Sequence, residues 1–171
     1  MRGSWTAAPF VVHLAGDESL AVELERQARD ENASVIRFKL ADAQDRASLG
    51  DLLARCFLFP HETSGLDAAV DLISDLEWLG NADGYLVITE LLGARAEVVT
   101  AWAEILPAII DRWRAQGTPF AAVLVDGEAV GIARAALSQG NRELERAGQL
   151  AWAQAGTGPV EILDHIADAE A

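Results

Sequence analysis

The residues best placed to do chemistry lie in one acidic stretch, where the apolar pattern predicts a helix over residues 66–79. Asp67 and Asp71 are four residues apart in it, so both carboxylates lie on one face of the predicted helix. On a helical wheel at about 100° per residue, Trp78 shares that face and Asp75 lies slightly further round. This face, opposite the apolar sector, is a candidate surface for binding a cationic partner.

The same part of the chain lacks basic residues, since no Lys or Arg occurs between Arg55 and Arg95. That interval holds a series of carboxylates: Glu62, Asp67, Asp71, Asp75, Glu77, Asp83 and Glu90. Like charges four residues apart destabilise a helix by roughly a few tenths of a kcal/mol, so two interpretations stay open. Either the face binds a partner, or Asp67 is stabilised by the helix dipole and the other carboxylates are merely solvated.

Catalysis and metal binding fit this pattern poorly. An acid–base pair needs a concave site that raises one pKa, and two aspartates on an exposed helix face do not suggest one. His13, His61 and His165 are spread along the chain, and no catalytic or phosphate-binding motif is present. We therefore predict no enzymatic activity, no catalytic residues, no metal site and no cofactor. His61, beside the acidic stretch, could hydrogen-bond a partner.

Composition narrows the class of partner. The 171-residue chain has a net charge of −14, so we expect it to be repelled by nucleic acid and by membranes and to attract basic proteins. Plain solubility would also account for the charge, and composition alone favours that explanation. Cys56 is the single cysteine, which suits a reducing compartment, and its apolar neighbours favour a buried hydrophobe over a nucleophile. With no run of membrane-spanning length, we expect a cytoplasmic protein.

The hydrophobic pattern predicts an α/β fold. Helical patterns separate the predicted strands, which implies parallel pairing with right-handed crossovers. We therefore expect a small, mostly parallel β-sheet of three to four strands, packed by helices. Four apolar or alternating runs predict those strands: Pro9–Ala15, Ser34–Leu40, Gly84–Thr89 and Pro119–Val125.

The chain divides into three predicted segments. Residues 1–33 form an N-terminal β-α extension, residues 34–126 a central domain, and residues 127–171 a helical C-terminal extension. In that tail the pattern predicts two helices separated by Gln139-Gly140-Asn141, then a short acidic helix after Pro159. Such a tail could pack on the domain, form a homo-oligomer or bind another partner.

Four runs in consistent order resemble the barstar family, the intracellular inhibitors of barnase-type ribonucleases. The resemblance extends over about residues 34–125 and implies a small parallel sheet packed by helices. It also implies that the acidic helix and the loop before it block the basic active site of a ribonuclease. The runs are LARCFLFP at 53–60, GLDAAVDLI at 65–73, GYLVIT at 84–89 and RAQGTPFAAVLV at 114–125.

The resemblance assigns roles to individual positions. Asp67 and Asp71 match the family's two binding aspartates on this helix, and Trp78 could replace an aromatic residue at its end. The loop 61–64 is one residue shorter than in the family and has no tyrosine pair. With the loop included, the predicted partner-binding residues are Asp67, Asp71, Glu62, Trp78, His61 and Asp75.

Two further departures concern a family position that flanks the second aspartate and one on the last helix of the family domain. Val70 stands where the family has a tryptophan, and Arg112 falls near the position of a family glutamate, which reverses the charge. The leading hypothesis is a cytoplasmic inhibitor or immunity protein that binds a ribonuclease or nuclease toxin. The alternative is a non-inhibitory interaction or scaffold module that reuses the fold and forms oligomers through its extensions.

Overall fold

The computed structural model describes residues 9–62, 65–80, 82–125, 128–148 and 159–166. The strands in these ranges are β1 (Val11–Ala15), β2 (Ser34–Lys39), β3 (Tyr85–Glu90), β4 (Phe120–Val125) and β5 (Glu161–Asp164). The α-helices are α1 (Glu18–Asp30), α2 (Arg46–Cys56), α3 (Gly65–Ile73), α4 (Ala96–Gln116) and α5 (Val130–Gly148). None of these described helices is long and apolar enough to cross a membrane.

All five strands form one parallel sheet in the order β2–β3–β4–β1–β5. Every residue of β4 is buried, as expected for a parallel strand covered on both faces. The predicted α/β fold with helices packed on a parallel sheet is confirmed, with one strand more than the three to four expected. The proposed division of the chain at residues 33 and 126 stays a prediction. In the structure, strands from both outer segments lie in the same sheet as the strands of the central segment.

The additional strand comes from the C-terminal tail, where the sequence predicted a short acidic helix. Glu161–Asp164 instead pairs in parallel with β1. The Asn141 side chain of α5 fixes the start of this strand, since it donates to the Val160 carbonyl at 3.0 Å and accepts from the Val160 N–H at 2.9 Å. The expected helix is wrong at these residues because tertiary hydrogen bonds outweigh a weak local preference. Residues 167–171 lie outside the described ranges.

Alternate residues of the sheet face two separate cores. Leu24 and Ala28 of α1 pack with Leu86 and Ile88 on one face. Helices α2 to α5 cover the other face, around the fully buried Trp102. The chain crosses the sheet in one direction from β1 to β2 and then returns through β3 and β4. Right-handed crossovers therefore place α1 on the side of the sheet opposite α2 to α5.

The acidic helix is shorter than the predicted span 66–79, because α3 ends at Ile73. The buried Leu76 adopts a left-handed conformation with φ of 51°, and a short 3-10 turn follows at Glu77–Leu79. The helical-wheel prediction is therefore wrong for Asp75 and Trp78, which lie beyond the helix on which Asp67 and Asp71 sit.

Helix α5 is continuous, although the sequence predicted a break at residues 139–141. Gly140 lies inside it and serves packing: a Cβ at this position would lie 2.3 Å from the Glu104 carbonyl oxygen and 2.9 Å from Pro107 Cγ. The glycine thus lets α5 approach α4 more closely than any other residue would. Helix α4 runs through Pro107 without interruption.

We predict that Gly140→Ala lowers the free energy of unfolding by about 1–3 kcal/mol, because the added methyl group forces α5 away from α4. The matched control is Gly131→Ala in the same helix, where a Cβ would meet nothing within 4 Å. That change should be neutral or stabilise by up to about 1 kcal/mol. Urea denaturation of both variants checks the prediction, which equal stabilities would contradict.

A pair of histidines joins the two outer segments of the chain. His13 on β1 is 2% exposed, and its Nδ1 lies 3.0 Å from Nε2 of His165, which follows β5. Burial, and then electrostatic repulsion from His165, lower the pKa of His13 from 6.5 to about 4. The folded protein therefore keeps His13 neutral at pH values where the unfolded chain protonates it.

This difference makes stability depend on pH. Between pH 6.5 and about 4 the unfolded state binds more protons at His13, so stability should fall as the pH is lowered, by about 3 kcal/mol in all. Above pH 6.5 this contribution should be constant. Urea denaturation of the wild type, His13→Gln and His61→Ala across this range checks the effect. Only His13→Gln should lose the extra slope, and parallel curves for all three proteins would refute it.

Candidate functional site

The aspartate face, which we define as Asp67 and Asp71 of α3, is exposed to solvent. Helix α3 begins at Gly65, whose φ of 84° requires glycine. Its opposite side buries Leu66, Ala69, Val70 and Ile73. Asp67 lies in the first turn, where the helix dipole stabilises a negative charge. The apolar side of the helix therefore fixes both carboxylates outward, as the sequence predicted for these two residues.

The two aspartates differ in their surroundings. Asp71 Oδ1 lies 2.5 Å from Nη1 of Arg112 on α4, and the two side chains are 69% and 48% exposed. A salt bridge so exposed contributes at most about 1 kcal/mol. Asp67 forms no ion pair with any described residue. Among the described residues, Asp67 is thus a carboxylate without an ionic partner, whereas Asp71 already contacts a cation.

Helix α4 fixes the end of α3 that carries Asp71. Trp113 donates its Nε1–H to the Ile73 carbonyl at 2.9 Å, and Gln116 donates to the Ser74 carbonyl at 3.1 Å. These carbonyls lie at and just beyond the C-terminus of α3, where partners within the helix are lacking. The same contact brings Arg112 beside Asp71. The sequence marked Arg112 as a charge reversal but gave no sign that it would pair with Asp71.

Trp78 points toward the protein rather than outward with the aspartates. Its Nε1–H donates to the Phe57 carbonyl at 2.9 Å, and its ring meets Phe59 edge-on with centroids 6.1 Å apart. It therefore ties the end of the acidic segment to the loop after α2. Asp75 is exposed near Tyr85, where burial and then the Asp75 charge raise the pKa of the phenol.

His61 and Glu62 lie in the loop before α3, and both are exposed. The His61 ring nitrogen Nδ1 lies 3.2 Å from the Glu62 carbonyl oxygen, a contact within the loop itself. Residues 63 and 64, between this loop and the helix, are outside the described ranges. The structure thus places both residues at the N-terminal side of the aspartate face without showing a role for them.

The chemistry of the described residues around this face suits ionic contacts with a partner. Within the described ranges, no three His, Cys, Asp or Glu side chains lie close enough together to hold a metal ion. Burial raises the pKa of the Cys56 thiol, so it is a poor nucleophile. Exposed carboxylates on a rigid helix can form charge-assisted hydrogen bonds with Arg, Lys or protonated His of another protein.

Comparison with curated proteins gives no match. Among solved structures, a chain of Drosophila ORC bound to AT-rich DNA and Cdc6 is 14% identical, with a TM-score of 0.47, over 81% of this chain and 49% of that one. The Aeropyrum pernix ORC2 protein is 15% identical, with a TM-score of 0.47, over 95% and 43% of the two chains. A Walker-type ATPase of Pyrococcus abyssi is 13% identical, with a TM-score of 0.44, over 94% and 50%.

The chain spans about half or less of the length of these three solved chains. At TM-scores this low, such likenesses support no conclusion about this protein. The family comparison is different in kind. The model described as Barstar (barnase inhibitor) matches residues 33–125, more than half of the chain. This range includes the aspartate face, the Arg112 side chain beside it and strands β2, β3 and β4. The chain therefore belongs to the barstar family.

Proposed function

We propose that this protein is an inhibitor or immunity protein that blocks the basic active site of a ribonuclease or nuclease toxin in the cytoplasm. The observation that carries the proposal is the exposed pair Asp67 and Asp71 on α3, within the range matched by a family described as a barnase inhibitor. In this proposal the two carboxylates occupy positions that substrate phosphates would take. They pair there with the cationic side chains of the enzyme.

Electrostatic interactions favour such a partner both at long range and at direct contact. The net charge of −14 speeds the approach of a basic enzyme and repels nucleic acid. At contact, Asp67 is accessible and has no ion pair among the described residues. Asp71 is available too, since an enzyme cation has only an exposed salt bridge to displace or share. His61, Glu62 and Asp75 extend this surface in the proposal, whereas Trp78 supports it from within.

The test compares single aspartate variants in inhibition of a ribonuclease. The nuclease is captured from the native cell on the immobilised wild-type chain, with the Asp67/Asp71 double variant as the control. Asp71→Ala and Asp67→Ala should each weaken inhibition of the captured enzyme by about tenfold or more, because an enzyme cation loses its charged partner. Glu128→Ala, an exposed carboxylate elsewhere, should change it less than about twofold. An equal loss of inhibition in all three variants would refute the assignment of the aspartate face as the inhibitory surface.

Arg112 gives a second, independent test of the same surface. Arg112→Ala frees Asp71, so we predict inhibition up to about fivefold tighter, in line with the strength of an exposed salt bridge. The control is Arg142→Ala, which removes the same charge from an exposed arginine of α5 that bonds Gln139. If both variants behave alike, only net charge matters and Asp71 is not at the contact.

A scaffold role is the second candidate, and the Arg112–Asp71 salt bridge favours it. One of the two family aspartates already has a cationic neighbour within the protein. In that role the extensions, including the tail 127–171, would hold another partner or a second copy. Salt separates the candidates, because association through the aspartate face should slow steeply as ionic strength rises. An apolar interface through the extensions should respond little.

A further inference from the structure

A groove of about 440 Å³ runs beside the aspartate face, between α3, α4 and α5. Its floor is apolar: Val70 comes from α3, Ile105 from α4 and Leu144 from α5. Ile105 and Leu144 are half-buried, so solvent reaches them in the absence of a partner. One groove thus joins a helix of the family match to α5, which lies outside residues 33–125.

The rim of this groove is strongly acidic. Among the described residues that line it, Asp67, Asp71, Glu104 and Glu143 carry negative charge and Arg112 carries positive charge. Glu104, like Asp67, forms no ion pair with any residue that the structure describes. Glu143 is bonded along α5 itself, with Arg146 at 3.2 Å and Gln139 at 2.8 Å. The groove therefore combines an apolar floor with an excess of negative charge at its edge.

The groove exists because α5 lies so close to α4. Gly140, which also lines the groove, allows the approach at Pro107, and Leu144 follows one helical turn later on the same side of α5. The wall is part of the fold, since α5 also buries Val130, Ala133, Ala136 and Leu137 in the core. A partner can therefore meet a surface that is already formed, which lowers the entropic cost of binding.

We propose that this groove receives, from a basic partner, an apolar side chain flanked by Arg or Lys residues. Helix α5 is then part of the partner-binding surface. The inference rests on the proposed function, in which that partner is the nuclease. Burial of one leucine-sized side chain strengthens binding by about tenfold or more, and the flanking cations complement the carboxylates of the rim.

Charge selects this occupant over others. A second copy of the chain would bring its own excess of negative charge, since the net charge is −14, and like charges across an interface oppose association. Nucleic acid and anionic lipid are disfavoured for the same reason. A neutral apolar segment would fill the floor but leave Asp67 and Glu104 without ionic partners.

The test uses two short peptides of equal positive charge, one alternating arginine with leucine and one alternating arginine with serine. Each is titrated into the ¹⁵N-labelled full chain and followed by NMR. The leucine peptide should shift the amide signals of Val70, Ile105 and Leu144 and bind about tenfold more tightly than the serine peptide. Equal affinities, or shifts spread over all acidic surfaces, would overturn the proposal.

Matched variants locate the effect. Leu144→Glu should abolish the preference for the leucine peptide over the serine peptide. Val22→Glu also replaces an apolar residue with glutamate, at a 60% exposed position of α1, and should keep that preference. If Leu144→Glu does not fold, Glu104→Lys decides. It should weaken binding of the leucine peptide about fivefold more than Glu145→Lys, a change on the exposed side of α5. Equal effects within either pair would count against the groove.

The peptide measurement does not depend on any nuclease, so the two proposals can fail separately. If the chain inhibits its nuclease but does not distinguish the peptides, the groove proposal is wrong and the proposed function stands. If it distinguishes the peptides but neither captures nor inhibits a nuclease, the proposed function is wrong. The groove then remains a binding site for basic, apolar segments.

Discussion

The acidic helix depends on hydrogen bonds that α4 donates at its C-terminal end. A helix of nine residues is too short to be stable alone in water, and its final carbonyl groups have no partners within the helix. Trp113 and Gln116 supply those partners at Ile73 and Ser74. Because Arg112 precedes Trp113 directly, the same contact decides which cation lies beside Asp71. Stability of the site and its electrostatic character therefore have one structural cause.

A run of sequence without basic residues is not a region of space without them. No Lys or Arg occurs between Arg55 and Arg95, yet Asp71 contacts an arginine 41 residues further along the chain. This salt bridge is exposed and weak. It therefore reduces the negative charge of the aspartate face but leaves Asp71 able to bind a partner. Asp67 and Asp71 are the same residue type and lie on the same exposed face of α3. The ion pair with Arg112 distinguishes Asp71, and it forms only when α4 packs against α3.

The sequence predicted those features that depend on local pattern. The apolar runs of β1 to β4 and the crossovers between them gave the parallel sheet, and the 3.6-residue period gave the outward direction of Asp67 and Asp71. The errors arose where tertiary contacts decide. Leu76 leaves the right-handed helical conformation although the apolar pattern continues through it to Leu79. The sequence pattern around Gly140 predicts a break between two helices, but Gly140 lies inside α5. It must be glycine there because α4 leaves no space for a side chain. No local signal could have shown that Leu144 would lie near Asp67.

The segments outside the family match are part of the same sheet and core as the matched residues. Within residues 33–125 the sheet would end at β4, whose buried residues would then form an apolar edge with unpaired backbone groups. β1 pairs with that edge, in the register Val12 to Ala122, and carries β5 on its far side. The connection from β4 to β5 must then cross over β1, and its helix α5 packs on α4, on the same side of the sheet as α3. The added strands thus determine where α5 lies, and through it the second wall of the groove beside the aspartate face.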